Sequence, residues 1–319
     1  MGGARSVLEN LTLSLLSLLP GFPALLRRLG TGGTVSARYC YAVWLRHLVM
    51  AARHGLPTDP ECVAELGPGD SLGIGLAALI SGAEHYLGFD VVTYAATERN
   101  LRILDELVSL FDRRAAIPDR DEFPEVKPYL ESYEFPSRIL DAQRLRRALN
   151  PDRLKRIERA VAGLGSGNGD PALRYVVPWH DPALIEPESV DLIVSQAVLE
   201  HVDDLAGCYR AMHRWLRRGG GMSHQIDLRC HGTAIGWDGH RAYSDLAWRI
   251  MRGRKPYLIN REPHSTHIRL MQDAGFEVVC DLVVRAEPTV ARERLAPRYR
   301  GLSEDDRTIS GAFVQAIRR

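Results

Sequence analysis

The chain has 319 residues, 45% of them hydrophobic and 25% charged, the balance of an ordinary globular protein long enough to bury a sizeable core. With 41 lysines and arginines against 40 aspartates and glutamates the net charge is +1, so the bulk electrostatic attraction of a nucleic-acid binder is absent and no nucleic-acid partner is expected. Five scattered cysteines (Cys40, Cys62, Cys208, Cys230, Cys280) with no CxxC argue against a disulfide framework or a cysteine zinc site, and fit reduced thiols in a cytoplasmic protein.

In chain order, residues 1–58 read as helical. Leucines 8, 11, 15 and 18 recur at helical spacing, which predicts an amphipathic helix docked on the body. Glu9, Pro20 and Pro23 interrupt the apolar run well short of a membrane span, so no stable membrane insertion is expected, and no secretory signal pattern is present. After a "GTGG" break, "SARYCYAVWLRHLVMAARHG" reads as a second helix with Tyr41, Trp44, Leu45 and Leu48 on its apolar face. "LPTDPE" then marks a boundary, dividing a helical cap (1–58) from a main domain (59–319).

In the main domain "CVAEL" reads as a buried strand, "GPGDSLG" as a glycine turn and "GIGLAALISGA" as a helix. "HYLGFDVV" follows as a second strand reaching Asp90, and "ERNLRILDELVSLFDRR" as a helix. Residues 114–170, rich in proline, aromatics and charge, break the alternation and read as a lid-like insertion closed by a flexible "GLGSGNGDP" connection. Its basic helix and the later "RIMRGRK" read as solvated faces. Strands "ALRYVVPW" and "SVDLIVSQ" resume the pattern. The next helix carries a buried stripe of Leu205, Cys208, Met212 and Leu216 and is expected to stop at the glycines of "RRGGG". Strand "MSHQIDL", a second insertion at about 232–262, helix "HSTHIRLMQDAGF" and strands "EVVCDLVV" and "TISGAFVQAI" complete the chain. Alternating strands and helices predict an α/β, doubly wound, mostly parallel sheet with an antiparallel last strand, an N-terminal helical extension and helical insertions.

The glycine turn sits where such a sheet binds its ligand, outside the carboxyl ends of the strands, and Gly67, Gly69 and Gly73 let a ligand approach the backbone. No Gly-Lys-Ser/Thr follows, so the turn is not a P-loop. Asp70 would repel a pyrophosphate at the helix N-terminus. Glu65 and Asp70 flanking the turn instead suit a ligand with a positive centre, and S-adenosylmethionine is such a ligand. Asp90, about 20 residues beyond the glycines, is placed to accept both ribose hydroxyls.

The blocks "VAELGPGDSLGIG", "YLGFD", "SVDLIVSQAVLEHVDDL" and "WLRRGGGMSHQID" follow one another as in the class I S-adenosylmethionine-dependent methyltransferases, which the chain resembles over roughly residues 60–230. The resemblance implies a seven-stranded sheet with a reversed last strand. It implies that Glu65, Gly67 and Gly69 border the methionine moiety, Asp90 the ribose and Trp179 the adenine, with Ser195 and Gln196 facing the cofactor. Many members carry an acid after the third strand; here the run is Pro178-Trp179-His180-Asp181, and Asp181 or a backbone contact takes that place. Arg46, among the aromatics of the second helix, either meets the methionine carboxylate or forms a structural ion pair.

Methyl transfer needs alignment and desolvation first, and a base only where the acceptor must lose a proton. His224, Asp227 and His231 in "HQIDLRCH" are the candidates for a His–Asp pair orienting a base, with His201, His240, Tyr243 and His264 nearby in sequence. Strand alternation puts His224 and Asp227 on opposite faces, so no metal site is expected from that motif. The expectation is methyl transfer to a small-molecule or glycan acceptor. Cyclisation or elimination of the cofactor's aminobutyryl chain, cofactor binding without turnover, and nicotinamide-dependent redox chemistry stay as alternatives.

Overall fold

The computed structural model describes residues 2–22, 30, 33–164, 170, 172–179 and 181–319. The glycine-rich connection before the third strand and His180 therefore lie largely or wholly outside the described residues.

Seven strands form one sheet in the order β3-β2-β1-β4-β5-β7-β6. β1 (Cys62–Leu66), β2 (His85–Phe89), β3 (Leu173–Val176), β4 (Val190–Gln196) and β5 (Leu216–Asp227) run parallel, while β7 (Ile309–Arg318) runs antiparallel to both β5 and β6 (Phe276–Arg285). The doubly wound sheet with a reversed last strand is thus the observed fold, and the reversed strand inserts between β5 and β6 so that β6 forms the edge.

One core lies on each face of the sheet. α2 (Ala37–His54), α3 (Gly73–Ile80), α4 (Thr97–Asp112), α5 (Ala142–Ala148) and α6 (Pro151–Ala162) contribute to one, through residues such as Trp44, Leu76, Leu107, Leu145 and Ile157. α7 (Leu205–Trp215) and α9 (His264–Asp273) pack on the other, around Trp215, Tyr209 and Met271. β1 alternates between them: Val63 faces the first core, Ala64 and Leu66 the second. Tyr86 reaches below α3, and a Cβ on Gly75 would come within 2.0 Å of its ring, so only glycine permits this helix–strand approach.

The two helices of the segment read as a cap take different places. α2 is enclosed on nearly every side, with Cys40 to Leu48 all buried, and its ends are set by Ser36, whose side chain accepts from the Tyr39 amide, and by Gly55 at φ 75. α1 (Gly2–Leu16) instead meets α8 (Asp245–Arg252) of the second insertion. Of the leucine stripe only Leu11 lies on the docking face, where together with Val7 it makes the apolar contact; Leu8, Leu15 and Leu18 are exposed. Ser14 and Ser17 continue that face, because their hydroxyls bond the Met251 carbonyl and the Arg254 amide.

A second departure concerns the helix before β5. α7 stops at Trp215, and "LRRGGG" is already strand, with Leu216 paired to Val190 and a register shift before Gly221 pairs with Leu192. The glycines serve the strand. Gly219 takes φ +76, and a Cβ on Gly221 would lie 2.7 Å from Leu56.

Candidate functional site

The carboxyl ends of β1, β2 and β4 converge on the glycine turn. The Gly67 amide donates to the Phe89 carbonyl at 2.7 Å, and the Gly69 amide to Asp90 Oδ2 at 3.2 Å, so the turn is tied to the end of β2. Both glycines are left-handed, at φ 62 and φ 70. A Cβ on Gly67 would sit 2.6 Å from Val198, which presses the chain after β4 against the turn. Thr34 closes the other side: its hydroxyl donates to the Pro68 carbonyl at 2.7 Å and accepts from the Ser71 amide at 2.8 Å.

Two buried carboxyls face this turn. Glu65 accepts a hydrogen bond from the Tyr86 hydroxyl at 2.7 Å, and burial pushes its pKa up to about 8 against the pull of Tyr86 and the Gly75 amide. Burial also raises Asp90, to about 6, although the Val91, Gly69 and Val92 amides all donate to it. Trp179 is half-buried against Phe89 and Trp215, with ring centroids 5.9 and 5.6 Å away, and its amide donates to the Asp90 carbonyl at 3.2 Å. Glu65, Gly67, Gly69, Asp90 and Trp179 thus gather at the carboxyl end of the sheet.

Residues 163–223 match the family model described as a methyltransferase domain. The match spans β3, β4, α7 and most of β5, and S-adenosylmethionine is the cofactor of this family. None of the curated proteins compared matches the sequence. Among solved structures, the chain is similar to an S-adenosylmethionine-dependent methyltransferase from Mesorhizobium loti (16% identity, 84% of this chain and 96% of that one, TM-score 0.41). It is also similar to geranyl diphosphate C-methyltransferase from Streptomyces coelicolor A3(2) (11%, 86% and 79%, TM-score 0.45). A third similar structure is phosphoethanolamine N-methyltransferase 2 from Haemonchus contortus (14%, 89% and 57%, TM-score 0.42).

The other residues singled out from the sequence are spread more widely. Arg46 lies inside the first core: it donates to the Ala42 and Pro118 carbonyls at 3.1 and 2.8 Å and stands 5.3 Å from the Tyr133 ring centre. That is neither of the two partners considered for it. Ser195 is bonded to His224 Nδ1 at 2.7 Å, and Gln196 donates to Gln225 across the same strand pair. Asp181 caps the following turn by accepting from the Ala183 amide at 2.8 Å.

The proposed His–Asp grouping separates. His224 is fully buried, and burial, with His47 and His267 nearby, lowers its pKa to about 3, so it is neutral at physiological pH. Asp227 instead pairs with Arg229 and with His231, whose Nε2 lies 3.4 Å from Asp227 Oδ2. The two side chains of β5 point away from each other, as strand alternation requires. Burial opposes protonation of His231, but the Asp227 hydrogen bond and the charges of Glu200 and Asp227 outweigh it and raise its pKa. Tyr243 donates to the Thr233 carbonyl at 3.0 Å, and His264 pairs with Asp281 at 2.8 Å on the β6 edge.

Several groups beside the site escaped the sequence reading. The Tyr94 and Tyr257 hydroxyls lie 2.7 Å apart, and both feel the charges of Asp90 and Asp70. The Tyr257 ring is 5.6 Å from that of His201, which is 5.1 Å from that of His231. Asn260 donates its side-chain amide to the Leu199 and Val202 carbonyls at 2.8 and 2.9 Å, fastening the second insertion to the turn after β4. Tyr94 and Tyr257 are 163 residues apart, so no local pattern signals their contact.

Proposed function

We propose that this protein transfers a methyl group from S-adenosylmethionine to an oxygen or nitrogen of a small-molecule or glycan acceptor. When bound between Asp90, Glu65 and the glycine turn, the cofactor would supply an electrophilic methyl on a sulfonium that departs as a neutral thioether, and the acceptor's proton would pass to solvent. The observation that carries the reading is the junction of Asp90 with the glycine turn. A nearly buried carboxyl at the end of β2 accepts from the left-handed Gly69 of the turn and from the neighbouring Val91 and Val92 amides, a cradle of backbone and acid suited to a cationic ligand bearing a diol.

In this reading Asp90 holds the ribose hydroxyls, Glu65 faces the methionine amino group and Trp179 lies along the adenine. Gly67 and Gly69 let the ligand come close to the backbone. Tyr257, His201 and His231 line the acceptor side, with Asp227 orienting His231, while the insertions at 114–170 and 232–262 exclude water. Lys127 in the first insertion reaches the strand end, its amide donating to Gln225 at 3.1 Å, and Glu125 pairs with Arg229 at 2.9 Å. His224, neutral and bonded to Ser195, holds the ends of β4 and β5 in register.

The test is calorimetric titration with S-adenosylhomocysteine. Asp90→Ala is expected to weaken binding by about 1–3 kcal/mol, the range for a lost buried hydrogen-bonding partner. Equal affinity of a folded Asp90→Ala variant and the wild type would remove the ribose assignment. Absence of binding to the wild type would remove the cofactor reading.

A further inference from the structure

Glu200 and His201 occupy the short turn Leu199–His201 that follows β4, and His231 lies in the loop after β5. The two segments are adjacent because β4 and β5 pair in parallel, so their carboxyl ends open on the same side of the sheet. One donor atom from each of these three residues lies within 4.8 Å of the others. We propose that Glu200, His201 and His231 bind a first-row divalent transition-metal cation.

Glu200 is the strongest observation. Its side chain is 1% exposed, and no well-formed hydrogen bond reaches either carboxylate oxygen, although the Glu200 and Asp227 amides lie near enough to pull its pKa down. A buried acid left in this state is costly, and buried charges are ordinarily paired or bound to metals. His231 is close enough to feel its charge, yet the ion pair His231 forms is with Asp227. His201 Nδ1 is likewise buried without a partner. Two imidazoles and a carboxylate therefore face a common point, and among them three nitrogen or oxygen atoms are unused.

The framework is held in place independently of any ion. The Asn260 amide donates to the Glu200 carbonyl at 2.6 Å, and its side chain grips the residues on both sides of the turn. His231 has φ 48, a left-handed conformation that costs energy for a side chain of this size and that re-aims it after the strand. The loop is pinned by the Cys230 amide on the Trp237 carbonyl at 2.8 Å and by the Thr233 amide on the Cys230 carbonyl at 2.9 Å. Asp227, 3.4 Å from His231 Nε2, supplies a carboxylate of the kind that commonly orients a ligating histidine.

The donor set selects the class of cation. Two imidazoles with one carboxylate suit zinc, manganese, iron or cobalt, whereas magnesium and calcium prefer oxygen ligands. Metal–ligand bonds of about 2.1 Å hold tetrahedral donors about 3.3 Å apart, so rotamer shifts of about 1–2 Å close the shell. Three protein ligands leave coordination positions for water or for an oxygen of a bound molecule. The proposal stands on these residues alone and does not depend on the methyl-transfer reading.

The test uses the full chain, stripped with a chelator, dialysed and titrated with Co²⁺ alone. The expected result is one Co²⁺ per chain with the visible absorption of nitrogen and oxygen ligation. Glu200→Gln and His231→Gln should each weaken binding at least about tenfold, and His213→Gln on α7 should leave it unchanged. Circular dichroism checks that the variants fold. Should they fail to fold, Mn²⁺ added to the wild type is expected to broaden the imidazole resonances of His201 and His231 ahead of the other histidines. No uptake by the wild type, unchanged uptake by a folded Glu200→Gln, or broadening centred on other histidines would each overturn the site.

Discussion

Replacing Glu65 by glutamine tests the electrostatics of the glycine turn most directly. In the folded protein burial raises the Glu65 pKa to about 8, against a reference of 4.5 in the unfolded chain. Between those values the native state holds one more proton than the unfolded state, so stability falls as pH rises, by about 1.4 kcal/mol per unit. The contribution is fully present below about pH 4.5 and is lost as pH climbs through the folded value. Between pH 5.5 and 7.5 the wild type should therefore lose about 2–3 kcal/mol relative to Glu65→Gln, which has no proton to release. Glutamine keeps an oxygen for the Tyr86 hydroxyl, now 2.7 Å from Glu65 Oε2, so the local packing survives. Urea unfolding followed by tryptophan fluorescence at both pH values gives the difference, and titrations shared by the two proteins cancel. Parallel pH profiles would mean that Glu65 is ionised in the fold, with a pKa at or below its unfolded value. A second readout follows from the proposed role: near neutral pH, S-adenosylhomocysteine should release up to about one proton on binding to the wild type and fewer on binding to the variant. Calorimetry in buffers of different ionisation enthalpy measures that proton count.

Gly67→Ala should destabilise the fold by about 2 kcal/mol or more, since alanine must take φ 62 with its Cβ 2.6 Å from Val198; equilibrium denaturation checks this, and wild-type stability would show that the segment after β4 yields freely. Gly75→Ala should cost about 1–3 kcal/mol by forcing the Tyr86 ring away from α3, and a change in the near-ultraviolet circular dichroism of tyrosine should accompany it. Arg46→Met should lose about 1–3 kcal/mol of stability through the Ala42 and Pro118 carbonyls it leaves behind, with S-adenosylhomocysteine affinity changed less than about twofold. A stable Arg46→Met that binds much more weakly would return Arg46 to the methionine carboxylate. Chromatography of the reaction products should show S-adenosylhomocysteine, while methylthioadenosine would favour consumption of the aminobutyryl chain.

Much of the architecture was legible because it rests on local patterns. Buried five-residue strands, the glycine turn after β1 and amphipathic helices each leave their period in the chain, and their alternation limits the sheet to a few topologies. The errors arose where periodicity met competing contacts. Leu8 and Leu15 of α1, and Leu18 just beyond it, keep helical spacing yet are exposed, because Ser14 and Ser17 find backbone partners on the second insertion and turn the helix toward them. The "RRGGG" run looked like a helix stop and is strand, because pairing with β4 supplies backbone partners that a loop would lack. Arg46 looked like a ligand for an anion, but its neighbours within the core satisfy it with carbonyls that the sequence does not identify.

By itself the sequence determined the strand-turn-helix unit, the acids at the ends of β1 and β2 and the order in which the remaining elements follow, since these depend on residues close along the chain. Tertiary structure alone decided which distant side chains meet. The pairing of β4 with β5 brings Glu200 and His201 to His231, while the folding of the second insertion places Tyr257 against Tyr94 and Asn260 beneath the turn after β4. Such contacts carry no periodic signal, because they are set by strand register and by loops that close over many residues rather than by the local backbone.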